Sequence, residues 1–204
     1  MAEKKRQQSC LADEAFPLAE SDYFKSLLPR MAKVRLLALD VDGVLTDGTI
    51  NIGANGEVFK GFNAKDGLGI SCALRSGLQV AIVTGRKSEI IHRRAEELGI
   101  TLLCEGVKDK YAALSQLRQS LNLRQEQVAY MGDDLNDLPA FKAAGLSLAP
   151  HDGVNEVCAA ADYITLAFGG NGAVREAAEL ILRAQGKWQS LVAAYLHAGQ
   201  GDRQ

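Results

Sequence analysis

LALDVDGVLTDG, residues 37–48, decides how this chain is read. An apolar run ends in Asp40 and Asp42, with Gly43 and then Thr46-Asp47-Gly48 behind them. Taken back to Val34, the run is short and continuous enough for a strand buried on both faces, the mark of a parallel sheet. Two carboxylates at the tip of a buried strand call for a reason. Aspartates commonly cap turns, and alone the pattern is as compatible with a turn as with a site.

Similar runs recur, predicting further strands at residues 78–83, 100–103, 127–131, 146–148 and 163–166. Helices with readable ends lie between them. Asp66 is expected to cap a helix reaching Ser76 and closed by Gly77, and Ser88–Leu98 should stop at Gly99. Lys108–Leu121 and Leu135–Ala144 follow, the latter stopped by Gly145, and Asn171 is expected to cap the last long helix, ending at Gly186. The alternation predicts an α/β fold, a doubly wound and mainly parallel sheet with right-handed crossovers. One segment, TINIGANGEVFKGF at 49–62, reads instead as an inserted β-hairpin turning at Gly53-Ala54-Asn55-Gly56.

The expected organisation is an N-terminal extension over residues 1–30, a globular domain over 31–186 and a C-terminal tail over 187–204. The extension reads as a polar tail and then a helical stretch, punctuated by Pro17 and Pro29. In the tail, Trp188 is expected to pack.

With 204 residues, 47% hydrophobic and 24% charged, the chain suits one well-buried domain. A net charge of −2 gives no bulk attraction to nucleic acid or an anionic membrane. No apolar run approaches the ~18 residues that span a bilayer. MAEKKRQQSC is not followed by the apolar core of a signal peptide. A cytoplasmic protein is expected. Cys10, Cys72, Cys104 and Cys158 show no metal-site spacing, and the last three read as small buried hydrophobes. The scattered histidines give Ser-His-Asp or Cys-His chemistry little to build on.

In an open α/β sheet, ligands bind at the carboxyl ends of the strands. Asp40 and Asp42 fall at one such end. QVAIVTGR places Thr84, Gly85 and Arg86 at the next, and Lys110 begins a helix after the third. VAYMGDDLNDLPA sets Asp133, Asp134 and Asp137 after another strand. Carboxylates gathered there are costly unless solvated or met by a cation, and an oxygen-rich cluster suits Mg²⁺.

These four stretches, in this order, resemble the haloacid dehalogenase-like superfamily across roughly residues 34–170. The resemblance implies a Rossmann-like fold of that type and a role for each residue. Asp40 would be the nucleophile that forms an aspartyl-phosphate, and Asp42 the general acid and base. Asp40, the main-chain carbonyl of Asp42, and Asp133 would hold Mg²⁺. Thr84 and Lys110 would bind the transferring phosphoryl group, with Asp134 and Asp137 supporting. An acid at position 42 fits phosphate-ester chemistry; the superfamily's dehalogenases lack one and its P-type ATPases carry Thr.

Between Asp40 and Thr84 lie 43 residues, and between Thr84 and Lys110 lie 25, all taken up by predicted elements. No cap domain fits. An open site needs a macromolecular substrate or a neighbouring subunit to shield it. The hairpin's Ile50, Ile52, Val58 and Phe59 cannot be buried by a lone ribbon, so oligomerisation through residues 49–62 is expected.

Within the superfamily, DVDGVLTDG, FNAKDG, TGRKSEII, GVKDK, GDDLNDLP and GGNGAVREAAELIL resemble the capless phosphatases of 3-deoxy-D-manno-octulosonate 8-phosphate (Kdo 8-phosphate). That resemblance implies a homotetramer built through the hairpin and a place in lipopolysaccharide precursor synthesis. It puts Lys65, Arg86 and Arg94 around a sugar acid carrying phosphate and carboxylate. Alternatives are a nonulosonate 9-phosphate as substrate, a macromolecular phosphoester, or a non-catalytic scaffold.

Overall fold

Every residue of β1 (Leu36–Leu39) is buried, because the strand is paired in parallel on both sides, with β4 (Gln79–Val83) and β6 (Val128–Met131). The computed structural model describes residues 21–197. Its main sheet adds β5 (Leu102–Cys104), β7 (Leu146–Ala149) and β8 (Tyr163–Ile164), in the order β5-β4-β1-β6-β7-β8, parallel throughout. The expected doubly wound α/β sheet is therefore present.

Alternate residues of a strand face opposite ways, and the two faces take different helices. Leu37, Leu39, Val80 and Ile82 pack with α1 (Asp22–Lys33), α2 (Ala64–Arg75), α3 (Glu89–Leu98) and α7 (Ala173–Ala184). Leu36, Ala38, Ala81 and Val83 pack with α4 (Lys110–Ser120) and α5 (Leu138–Ala143). A short α6 (Asn155–Ala160) leads into β8.

Several helix ends differ from expectation. Ser88 does cap α3, and Gly99 ends it in the left-handed region at φ +75°. Asp66, however, does not cap α2; Asn63 does, accepting the Lys65 N–H. Asp66 lies buried inside α2 and accepts the Gly172 and Arg175 N–H groups at 3.1 and 2.8 Å. It thus satisfies the amino end of α7 from a neighbouring helix. Asn171 is not that cap either; its side chain accepts from Asn63 at 3.3 Å. Asp109 caps α4 and shortens it, residues 135–137 form a 3₁₀ turn ahead of α5, and Pro29 lies inside α1. Cys72 is buried, whereas Cys104 and Cys158 are half-buried. Cys10, Pro17 and residues 1–20 and 198–204 lie outside the described residues.

The inserted hairpin is β2 (Asn51–Gly53) and β3 (Gly56–Phe59), an antiparallel ribbon separate from the main sheet. Ile52, Val58 and Phe59 are 74%, 60% and 57% exposed, while Ile50 is half-buried. Residues Trp188–His197 form α8, and Trp188 is buried with Cys72 and Leu182, its ring 4.9 Å from the Arg175 guanidinium. No helix among the described residues is long and apolar enough to cross a membrane.

Candidate active site

The carboxyl ends of β1, β4 and β6 are neighbours in the sheet, so the loops carrying Asp40, Thr84 and Asp133 converge. The Asp40 N–H donates to the Met131 carbonyl at 3.0 Å, extending the β1–β6 ladder by one step. The chain then coils tightly: the N–H groups of Val44, Leu45 and Thr46 all point at the Val41 carbonyl, at 3.2, 2.9 and 3.0 Å. The Thr46 hydroxyl accepts the Gly43 and Gly48 N–H groups. Gly43 has φ +84°, and a Cβ there would stand 2.0 Å from Asp133 Oδ2. Only glycine lets these two carboxylate-bearing loops approach so closely.

Lys110, the first residue of α4, turns a buried ammonium into this cluster. It lies 3.0 Å from Asp40 Oδ2 and 2.5 Å from Asp137 Oδ1. Asp137 is fully buried and its two oxygens are taken up. Oδ1 also accepts the Tyr130 hydroxyl at 2.7 Å, and Oδ2 accepts the Asp133 and Asp134 N–H groups at 3.0 and 3.3 Å. Asp137 therefore fixes the Asp133 loop and the lysine together.

Burial pushes the Asp40 carboxyl up to about 6, with Asp137 adding to the rise and Lys110 opposing it. Burial likewise raises Asp133 to about 7, reinforced by the nearby Asp137 and Asp40. Burial alone would lower the Lys110 ammonium, but Asp40 and Asp137 together hold it above the ordinary lysine value. The cluster carries more negative charge than one lysine neutralises. Carboxylate oxygens of Asp40, Asp133 and Asp137 lie within 4.8 Å of one another. Those of Asp137 are already committed to donors, leaving Asp40 and Asp133 to face a hard divalent cation such as Mg²⁺, which suits such a donor set.

Asp42 stands on the other side of the turn. Its Oδ1 accepts a hydrogen bond from the buried Lys60, and its Oδ2 lies 3.2 Å from Arg86 Nε. Lys60 also meets Glu57 Oε1 at 2.9 Å, and Glu57 accepts from the Ser88 hydroxyl. Burial opposes the Lys60 charge, yet its bonds to Asp42 and Glu57 raise it above the ordinary lysine value. Neither Lys60 nor Glu57 was anticipated from the sequence, since a lysine at the end of an exposed ribbon carries no signal of burial.

Thr84 is buried; its hydroxyl accepts the Arg86 N–H at 3.4 Å. A cleft of about 270 Å³ is lined by Asp40, Asp42, Ile50, Thr84, Arg86, Asp133 and Asp134, among others. Of the three expected substrate-binding cations, Arg86 lines it. Lys65 is exposed at the start of α2, and Arg94 lies 5.4 Å over the Phe62 ring and 2.9 Å from Glu97; neither lines the cleft. A cavity of about 290 Å³ beside Tyr23 and Tyr163 is mainly apolar, and its one carboxylate, Asp162, is paired with Arg30 at 2.7 Å.

A model of the haloacid dehalogenase-like hydrolase family matches residues 103–175. The chain is 49% identical over 161 residues to the 3-deoxy-D-manno-octulosonate 8-phosphate phosphatase KdsC of Escherichia coli K12, covering 79% of this chain and 86% of the relative. A crystal structure of the Moraxella catarrhalis phosphatase of that name, in complex with magnesium, phosphate and KDO, superimposes with a TM-score of 0.81 at 42% identity. It covers 84% of this chain and 98% of that one. The cobalt-bound Haemophilus influenzae phosphatase YrbI gives a TM-score of 0.79 at 41% identity, covering 82% and 99%. By these similarities over nearly the whole of its relatives' length, the chain belongs to the haloacid dehalogenase-like hydrolases, in the group of 3-deoxy-D-manno-octulosonate 8-phosphate phosphatases.

Proposed function

We propose that this phosphoric monoester hydrolase releases inorganic phosphate from Kdo 8-phosphate, with Mg²⁺, in the cytoplasm and in the service of lipopolysaccharide precursor synthesis. The observation that carries the reading is the convergence of Asp40, Asp42, Thr84 and Asp133 on one cleft, in a chain so similar to phosphatases of that substrate.

The chemistry follows from the side chains. An Asp40 carboxylate oxygen forms a bond to phosphorus as the bond from phosphorus to the sugar oxygen breaks, leaving an aspartyl-phosphate. The departing alkoxide takes the proton of the Asp42 carboxyl. In the second half, the Asp42 carboxylate takes a proton from water, whose oxygen bonds to phosphorus as the Asp40–phosphorus bond breaks. Phosphate leaves, and both carboxyls return to their starting states. Thr84 and Lys110 donate to the phosphoryl oxygens, whose charge is largest in the transition state. Asp40, Asp133 and the Asp42 main-chain carbonyl would hold a divalent cation, which would supply positive charge to offset that of the phosphoryl oxygens. Asp137 supports that set from behind, through the Asp133 N–H and Lys110, and Asp134 supports it from the cleft side.

The catalytic unit in this reading spans residues 31–186, and its open cleft is completed by association of the 49–62 hairpins into a homotetramer. Arg86 meets the sugar acid from within the cleft, and Lys65 and Arg94 join it from outside the single-chain cleft.

The test is phosphate release from Kdo 8-phosphate, nonulosonate 9-phosphates and simple sugar phosphates, with and without Mg²⁺, by wild type and Asp40→Asn. Preference for Kdo 8-phosphate is expected, lost by more than ~1,000-fold in Asp40→Asn, whose amide cannot attack phosphorus. Preference for a nine-carbon ester would move the assignment to that substrate, and normal turnover by Asp40→Asn would exclude the covalent route.

A further inference from the structure

Among the described residues two lysines are buried, Lys110 beside Asp40 and Lys60 at the end of the hairpin. The second is unexpected, because Val58 and Phe59 just before it stand in the open. Lys60 turns the other way. Its side chain is 1% exposed, with the ammonium on Asp42 Oδ1 and on Glu57 Oε1. Glu57 is in turn tied to the hydroxyl of Ser88, the cap of α3, which follows directly on the Thr84-Gly85-Arg86-Lys87 loop.

Asp42 thus has two cationic partners of different standing. Arg86 reaches Oδ2 at 3.2 Å, but its side chain is 55% exposed. Exposed ion pairs are screened by water and hold geometry weakly. A desolvated ammonium, by contrast, is strongly destabilising if it loses its partners, so the Lys60 contact is enforced by burial. The direction in which the Asp42 carboxyl points is therefore set by Lys60.

We infer that Lys60 is a positioning residue for the reaction, aiming the Asp42 carboxyl at the oxygen of the leaving group and tying that aim to the hairpin. The inference rests on Asp42 being the acid that protonates the alkoxide. The same ribbon that leaves Ile52, Val58 and Phe59 exposed also carries a support of the catalytic acid.

The test uses two esters: Kdo 8-phosphate, whose alkoxide needs a proton, and p-nitrophenyl phosphate, whose phenolate does not. Lys60→Met, Lys60→Arg, Asp42→Asn and the Lys60→Met/Asp42→Asn double variant are followed through their first turnover. In Lys60→Met, first-turnover release of Kdo should fall about 10- to 100-fold, while the burst of p-nitrophenolate stays within about threefold. Lys60→Arg should recover part of the loss, and Lys60→Met should cost little more in the Asp42→Asn background, because the two residues act as one unit. Equal losses on both esters, or full additivity, would overturn the role of Lys60 and leave that of Asp42 standing. An Asp42→Asn variant that spares the Kdo ester would instead remove the underlying reading. Should Lys60→Met fail to fold, Glu57→Gln, which removes the second anchor of Lys60, must show the same ester dependence at smaller amplitude. Its absence there overturns the proposal.

Discussion

The Lys110 ammonium lies 2.5 Å from Asp137 Oδ1, in a pair closed to water on both sides. One buried cation is shared between this carboxylate and Asp40. Removing it leaves two desolvated carboxylates facing one another. Lys110→Met should therefore destabilise the fold by about 3 kcal/mol and, with Lys110 the phosphoryl donor proposed above, reduce turnover by at least ~100-fold. Urea unfolding and steady-state kinetics check both; a variant as stable as wild type would mean that Tyr130 and the Asp133 and Asp134 N–H groups suffice to hold Asp137.

Gly43→Ala separates the packing of the acid loop from backbone strain. The added methyl would overlap Asp133 Oδ2, and φ is +84°. Gly56, at φ +109° in the hairpin turn, has open space at the same position and serves as the control. Both substitutions carry backbone strain of about 1–2 kcal/mol. Only Gly43→Ala should also displace Asp133, so its activity should need at least ~10-fold more Mg²⁺ than wild type. A Mg²⁺ titration of activity distinguishes the two, and equal behaviour of the variants would show that Asp133 relaxes around the methyl.

Much of this arrangement is legible in the sequence, for a physical reason. Strands buried on both faces are continuous apolar runs, and in a parallel sheet their carboxyl ends share one edge, so Asp40, Thr84 and Asp133 are brought together by topology alone. The helix ends were less legible. Asp66 is of a residue type that caps helices, yet Asn63 caps α2 and Asp66 serves α7 instead, through a contact between residues more than 100 apart in the chain. Lys60 and Glu57 escaped for the same reason: their partners Asp42 and Ser88 lie beyond the ribbon, and local pattern shows only the ribbon. Lys65 and Arg94, expected beside the substrate by resemblance, stand outside the cleft of the single chain.

The hairpin's exposed apolar residues make a prediction about assembly. A two-stranded ribbon with Ile52, Val58 and Phe59 in water is marginal by itself, and exposed apolar surface of this kind marks an association surface. Sedimentation of the wild type should give a tetramer. Replacing Ile52 and Val58 by Thr and Phe59 by Ser should shift it to smaller species at micromolar concentration. A wild-type monomer with full activity would remove the proposed role of the ribbon in assembly.

The acid cluster also predicts how stability changes with pH. Asp40 and Asp133 are held at about 6 and about 7, against an unfolded value of 3.8. Between pH ~4 and ~7 the folded chain therefore binds more protons at these sites than the unfolded chain, and stability falls as pH rises through that window. In chelator-treated protein this pair should contribute a loss of stability from pH 4 to pH 7.5, and Asp133→Asn should remove the part nearest pH 7. A divalent cation competes with those same protons. Mg²⁺ at ten times its Kd should add about 1.4 kcal/mol, or about 3–6 °C in Tm, at pH 7.5, and the same concentration should add much less at pH 5. Asp133→Asn should respond weakly at both. Thermal unfolding at the two pH values, with and without Mg²⁺, reads all of this directly. A gain that is equal at pH 5 and pH 7.5, or that survives in Asp133→Asn, would place the cation somewhere other than between Asp40 and Asp133.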